Sequence, residues 1–273
     1  MIAETFILII VAGFICELID SSLGMGYGTI LTPMLILFGF PALAVVPAIL
    51  ITQAVGGIIA SISHHRHGNA DFHIKSKSPS YILQKIKEHG IIGAFNKGVS
   101  DDLKTAIIVT SFGIIATIIG VFIGVGISKK FINLYIGFLV LFMGLFILSN
   151  FRFNYSIGKM FIVGIISAFN KGLSGGGFGP VVTGGQMVLG KDHKKAIACT
   201  SASGPLICIT GFISYLLFKG VSSWDIIGAL LIGVAIAGLI GPITTKRINK
   251  SALKLSVAAL MIILGVLTLV KTF

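Results

Sequence analysis

The sequence predicts an all-α polytopic membrane protein made of two inverted repeats, each a glycine-broken re-entrant hairpin followed by three transmembrane helices. Three observations predict it. Of the 273 residues, 55% are hydrophobic and only 11% charged, with a mean hydropathy of +1.02, far from the averages of soluble chains. The second half resembles the first at a spacing of 151 positions. Lysine and arginine gather in a few short polar segments, as they do in the cytoplasmic loops of membrane proteins.

The elements follow in chain order. Region 5–40 is apolar but too long for one span, and the cluster "SSLGMGYG" (21–28) cuts it; it reads as a broken helix or re-entrant hairpin. A first uninterrupted span covers 44–63. The polar stretch 64–104 holds "HHRHGNADFHIKSKSPS" and then "YILQKIKEHGII", with apolar residues at 82, 83 and 86 and basic ones at 85 and 87, the pattern of a short helix lying on a membrane surface. Spans at 105–128 and 132–149 close the first half. Region 160–189 is again too long and is cut by "GLSGGGFG" (172–179), and spans at 196–218, 226–244 and 252–270 complete the chain. Each of the six spans suits a hydrocarbon core of about 30 Å, which takes roughly 20 helical residues. Glu4 and the lack of a basic run before the first apolar stretch argue against a cleaved signal peptide.

The repeat lays "GMGYG" (24–28) on "GGGFG" (175–179), Thr32 on Thr183, Gly39 on Gly190 and Ser63 on Ser214; one position later Gly68 meets Gly220, and "GVGISKKF" (124–131) resembles "GPITTKRI" (241–248). Two units, 1–149 and 150–273, follow. If each broken segment enters and leaves on one side, the segments 64–104, 150–159, 191–195 and 245–254 share a face carrying 16 Lys and Arg. Lys129, Lys130, Lys219 and Lys271 lie opposite. Full crossings would give 11 against 9, so the positive-inside rule selects the hairpins, with the basic face cytoplasmic and both termini outside. The net charge of +12 is then topology and contact with anionic membrane lipids, and no nucleic-acid partner is expected.

Several chemical classes are weighed and set aside. Cys16, Cys199 and Cys208 stand in apolar segments at spacings of neither a metal site nor a disulfide framework, and read as small core residues. His64, His65, His67 and His73 lack a carboxylate or thiolate at matching spacing, so no metal and no cofactor is expected. "GLSGG" (172–176) satisfies the G-x-S-x-G nucleophile pattern. Its Ser174 needs a base, however, and all six histidines fall in loops or surface turns, so an enzyme is not expected.

The two glycine clusters carry the functional reading. Unwinding a helix in lipid leaves backbone groups unpaired and is tolerated only where they face protein, water or a ligand. Helices restarting near Thr29 and near Pro180 would turn the positive ends of their dipoles, and N–H groups bare of side chains at Gly24, Gly26, Gly175, Gly176 and Gly177, toward one cavity suited to a small oxyanion. Lys171 adds a full charge at that depth, with Asn170, Ser174, Thr29, Thr32 and Thr183 as polar neighbours. The repeat sets Lys171 on Asp20, so a buried ion pair is one reading of both. Glu17, one turn before Asp20, and Asp20 itself are candidates for carrying a coupled ion. Close helix packing is the competing reading of the glycines, and an anion channel with the same lining competes with a carrier.

The stretches "IDSSLGMGYGTILTPMLILFGFPALAVVPAILITQ", "HHRHGN", "SAFNKGLSGGGFGPVVTGGQMVLG" and "ACTSASG" resemble the sulfite exporter TauE/SafE family of permeases over both halves. The resemblance implies a secondary transporter of small sulfur-containing anions such as sulfite or organosulfonates in a prokaryotic inner membrane. It puts Asn170, Lys171 and Gly175–Gly177 at the substrate site; Gln53 and Ser201, which stand in the quoted stretches, join the candidate set. A homo-oligomer stays open. Two departures stand out: glutamate is frequent in the family where this chain has Gln53 and Gly204, and the 70–104 loop is longer than the family's usual turn.

Overall fold

The computed structural model describes residues 3–73, 84, 87–88, 98–149, 157–188, 190–245 and 250–273. Ten helices are described there: α1 Ala3–Leu23, α2 Tyr27–Leu37, α3 Ala42–Arg66, α4 Asp101–Gly126, α5 Lys129–Leu148, α6 Ile157–Ser174, α7 Phe178–Val188, α8 His193–Phe218, α9 Trp224–Thr244 and α10 Lys250–Thr272. Apart from residues 84, 87 and 88, the expected surface helix around 82–88 lies outside the described residues, as does the link at 150–156.

Among the described residues seven helices are long and apolar enough to cross a membrane: α1, α3, α4, α5, α8, α9 and α10. Six of them match the expected spans, four containing them whole and α4 and α5 stopping at Gly126 and Leu148, two residues and one residue short. The seventh, α1, belongs to the first broken region, whose break falls so far along that 21 residues precede it. Helices run past the apolar stretches because polar residues cap them outside: Ser100 Oγ accepts from Leu103 N and Asp192 accepts from Lys194 N and Lys195 N, each satisfying otherwise orphaned donors. The restarted helices begin at Tyr27 and Phe178, two residues earlier than expected.

Glycines set the packing. A Cβ at Gly13 would meet Leu230, one at Gly233 the backbone of Ile10 and Phe14, and one at Gly241 the side chain of Ser21, so α1 and α9 lie side by side in parallel. α6 and α4 do the same through Gly113 against Ala168, Gly120 against Phe169 and Gly172 against Thr117. α5 and α10 pair antiparallel through Gly137 with Leu269 and Gly144 with Ile262, and α3 and α8 antiparallel through Gly57 with Ser201 and Pro205 and Gly211 with Leu50. Small residues let helices approach where lipid offers no hydrophobic drive to associate, so close packing is the role of these glycines. The exposed surface is a belt of large apolar side chains such as Phe112, Ile115, Phe122, Phe138, Phe142, Leu217 and Ile236, as a chain solvated by lipid requires.

Candidate functional site

The first break opens after Gly24 N has closed the last turn of α1 on Asp20 O (2.5 Å). Gly24 (φ 72°) and Gly26 (φ 131°) turn the chain through conformations that side chains disfavour. The Asp20 carboxylate reaches across and accepts from Tyr27 N (3.2 Å), a negative group at the positive N-terminus of α2. The second break repeats the backbone: Gly175 N closes on Lys171 O (2.9 Å), and Gly175 (φ 72°) and Gly177 (φ 79°) make the turn. Here Ser174 Oγ donates to Asn170 O (2.7 Å) and accepts from Gly176 N (3.1 Å). That hydroxyl is thus spent on the break itself, which removes the ground for a nucleophile. Lys171, 1% exposed, donates from Nζ to Gly175 O (2.7 Å), a positive group at the negative C-terminal end of α6.

Asp20 and Lys171 do not form the direct ion pair that their equivalent positions suggested. Gln53 stands between them: its Oε1 accepts from Lys171 Nζ, and its Nε2 donates to Asp20 Oδ2 (3.1 Å). An amide offers one acceptor and one donor edge, so one neutral side chain serves both charges.

The two breaks cross backbone to backbone. A Cβ at Gly28 would collide with the Gly175 carbonyl, and one at Gly176 would lie 3.0 Å from Gly28 O; one at Gly179 would lie 2.6 Å from Gly24 O, and one at Gly24 2.5 Å from Thr183 Oγ1. Thr183 donates to Gly24 O (2.7 Å) and sits 2.8 Å from Thr200 Oγ1. Thr29 and Thr32 bury hydroxyls that lack a partner, Thr32 Oγ1 lying 3.1 Å from where a Gly175 Cβ would be. Asn170 Oδ1 accepts from Tyr135 OH, and Tyr27 OH donates to Thr52 Oγ1 (2.7 Å), whose own proton goes to Ala48 O.

The remaining candidates are set around this crossing. Glu17 is buried, its Oε2 lacks a partner, and it faces Gly56, where a Cβ would lie 2.7 Å from its Cδ. Ser201 is buried on α8, beside Gly57, and a Cβ at Gly204 would lie in ordinary contact with Phe178 Cε1, at 3.7 Å. Gly28 and Gly179 were missed as site residues although the repeat carries both; Tyr135 had no signal in the sequence. The three cysteines are free and buried.

Among the described histidines, one departs from its expected surface placement. His64, fully buried, donates from Nε2 to Ser21 O (2.9 Å) and accepts at Nδ1 from Asn69 (2.9 Å), which also donates to Pro242 O (3.0 Å). It is buried because the last turn of α3 tucks between the ends of α1 and α9. The structure also supplies the carboxylate that spacing did not reveal: Asp71 Oδ1 accepts from His73 Nδ1 (2.6 Å), and His65 and His73 rings lie 4.6 Å apart. The His73 hydrogen bond holds the exposed Asp71 carboxyl below the ordinary carboxylate range.

Comparison with known proteins adds to this geometry. The family model described as "Sulfite exporter TauE/SafE" matches residues 9–75 and 90–268, omitting part of the long loop. A "Probable membrane transporter protein YtnM" of Bacillus subtilis (strain 168) is 24% identical over 275 aligned positions, covering 95% of this chain and 81% of that protein. No solved structure matches.

Proposed function

The chain belongs to the sulfite exporter TauE/SafE family, and from that premise we propose that it is a secondary transporter exporting small sulfur-containing anions, such as sulfite or organosulfonates, across the plasma membrane. It is a multi-pass membrane protein of a transporter family. The observation that carries the finer reading is the crossing of the two breaks, where Gly28 meets the Gly175 carbonyl beside the Lys171 ammonium. In this reading an anion takes over the ammonium from Gly175 O and Gln53, while Thr29, Thr32, Asn170 and the first turns of α2 and α7 supply donors. Glu17 and Asp20 are the candidate carriers of a coupled ion.

Alternating access around two inverted units, 1–149 and 150–273, is the proposed mechanism. Its support is reciprocal placement. Lys271 Nζ donates to Leu37 O (2.8 Å) at the end of the first hairpin, and Lys191 Nζ pairs with Asp102 Oδ1 (3.1 Å) at the end of the second. Side chains absent at Gly28, Gly176 and Gly179 leave the crossing packed backbone on backbone, which favours a carrier over an open channel. Counterflow of radiolabelled sulfite in proteoliposomes tests this: saturation with trans-stimulation is expected, and conductance without either would establish the channel. A thermal-shift screen against sulfite, sulfate, thiosulfate and sulfonates identifies the anion, and the absence of any shift or transport would remove the substrate assignment. For topology, a cysteine introduced at Lys194 is expected to resist an impermeant thiol reagent applied outside intact cells; labelling would invert the proposed orientation.

A further inference from the structure

The start of the long polar loop holds a cluster that the transport reading leaves unused. His65 on the last turn of α3 and Asp71 and His73 beyond it bring two imidazoles and a carboxylate together, their donor atoms all within 4.8 Å of one another. We propose that His65, Asp71 and His73 form a binding site for a divalent transition-metal ion of the zinc type. Two imidazole nitrogens and one carboxylate oxygen are a three-ligand protein set for zinc, with a fourth position left to water. Imidazoles also disfavour the hard cations magnesium and calcium, which take oxygen.

The backbone prepares the cluster. Asp71 N donates to Asp102 Oδ2 (3.0 Å), Ser100 Oγ donates to Asp71 O (2.6 Å) and Ser100 N to His73 O (3.1 Å), so the loop entry is pinned against the N-cap of α4 before any ion arrives. Phe72 N donates to His65 Nδ1 (3.3 Å), a long bond that a metal can replace. His73 Nδ1 and Asp71 Oδ1 already lie 2.6 Å apart across a shared proton, which an ion taking both atoms as ligands would displace, and Asp71 keeps Oδ2. The three residues are exposed or half-exposed, which gives an ion an entry path. A bound ion would fasten the loop entry to α3, next to His64, which holds the end of α1 through Ser21 O.

The inference is independent of the transported anion, and its test reads metal binding alone. Full-length, tag-free protein in detergent is stripped with chelator and titrated with Zn2+ by calorimetry, with His73→Ala, Asp71→Asn and His67→Gln in parallel and melting temperatures as the fold control. About one Zn2+ per chain is expected for the parent and for His67→Gln. Affinity in His73→Ala and Asp71→Asn should fall by at least about 10-fold, a loss that even outer partners of metal ligands produce. No binding by the parent, unchanged binding in the near-isosteric Asp71→Asn, or an equal loss in His67→Gln would each overturn the site, the last by showing an unspecific histidine tract.

Discussion

At the first break the carbonyl of Gly24 is met by the hydroxyl of Thr183 from the opposite hairpin; at the second, the carbonyl of Gly175, its repeat equivalent, is met by the ammonium of Lys171 from its own helix. Thr32, the counterpart of Thr183, is left with an unpartnered buried hydroxyl. Thr200, which backs Thr183, has Ile49 as its counterpart, so nothing polar backs Thr32 from that side. Asp20 and Lys171 occupy equivalent positions yet serve opposite ends of half-helices, the acid at the N-terminus of α2 and the base at the C-terminus of α6, each with the sign the local dipole favours. A backbone plan can therefore be duplicated while its chemistry diverges. At the first break the carbonyl meets a neutral hydroxyl and the charged group, Asp20, caps the restarted helix instead, whereas at the second the carbonyl itself is met by a cation, the group that an anion would draw away in the proposed mechanism.

The largest effect is expected where the breaks touch. Gly28→Val and Gly179→Val both thrust a side chain into a carbonyl of the facing break, an overpacking that costs about 1–3 kcal/mol in well-packed cores. Proteoliposome transport should be abolished in both, with lowered melting temperatures. Gly39→Ala, where φ is 98° but no atom lies within 4 Å, separates backbone strain from collision, and should keep transport. Should one of the valine variants transport normally, the crossing is not a shared site and the equivalence of the halves fails.

Lys171→Met tests where the charge matters. Hydrogen bonds to charged groups contribute about 1.5–3 kcal/mol, so sulfite affinity should fall roughly 10-fold to 150-fold in thermal-shift titrations. A variant that melts and binds like the parent would place the anion elsewhere, and one that no longer folds would make Lys171 a cap for Gly175 O above all.

The threonines give the finest contrast. Thr183→Val strips the Gly24 carbonyl of its donor and should destabilise by about 1–3 kcal/mol, the cost of an unsatisfied buried group. Thr32→Val removes a buried hydroxyl that has no partner, and with it the cost of burying an unpaired polar group, so it should be neutral or stabilising in denaturation. If Thr32→Val nonetheless weakens sulfite binding, its hydroxyl faces the anion. Equal destabilisation by the two would mean that the breaks are closed alike, against the asymmetry described above.

The sequence by itself determined the lipid-solvated class, six spans, both helix breaks and the pairing of residues across a 151-residue spacing, because each rests on local composition or on glycine, whose meaning is carried by the backbone. It also marked Lys171, since a cation within an apolar stretch is costly wherever the chain goes. Only the tertiary structure decided that Gln53 separates Lys171 from Asp20, that His64 is buried against Ser21 O, and that Asp71 joins His65 and His73. These depend on which helix ends meet and how side chains turn there, and hydropathy carries no record of either. Gln53 is the plainest case: a neutral amide in an apolar span gives no hint of position until two charges from different hairpins arrive at its opposite edges, and only the packing of α3 between them brings that about.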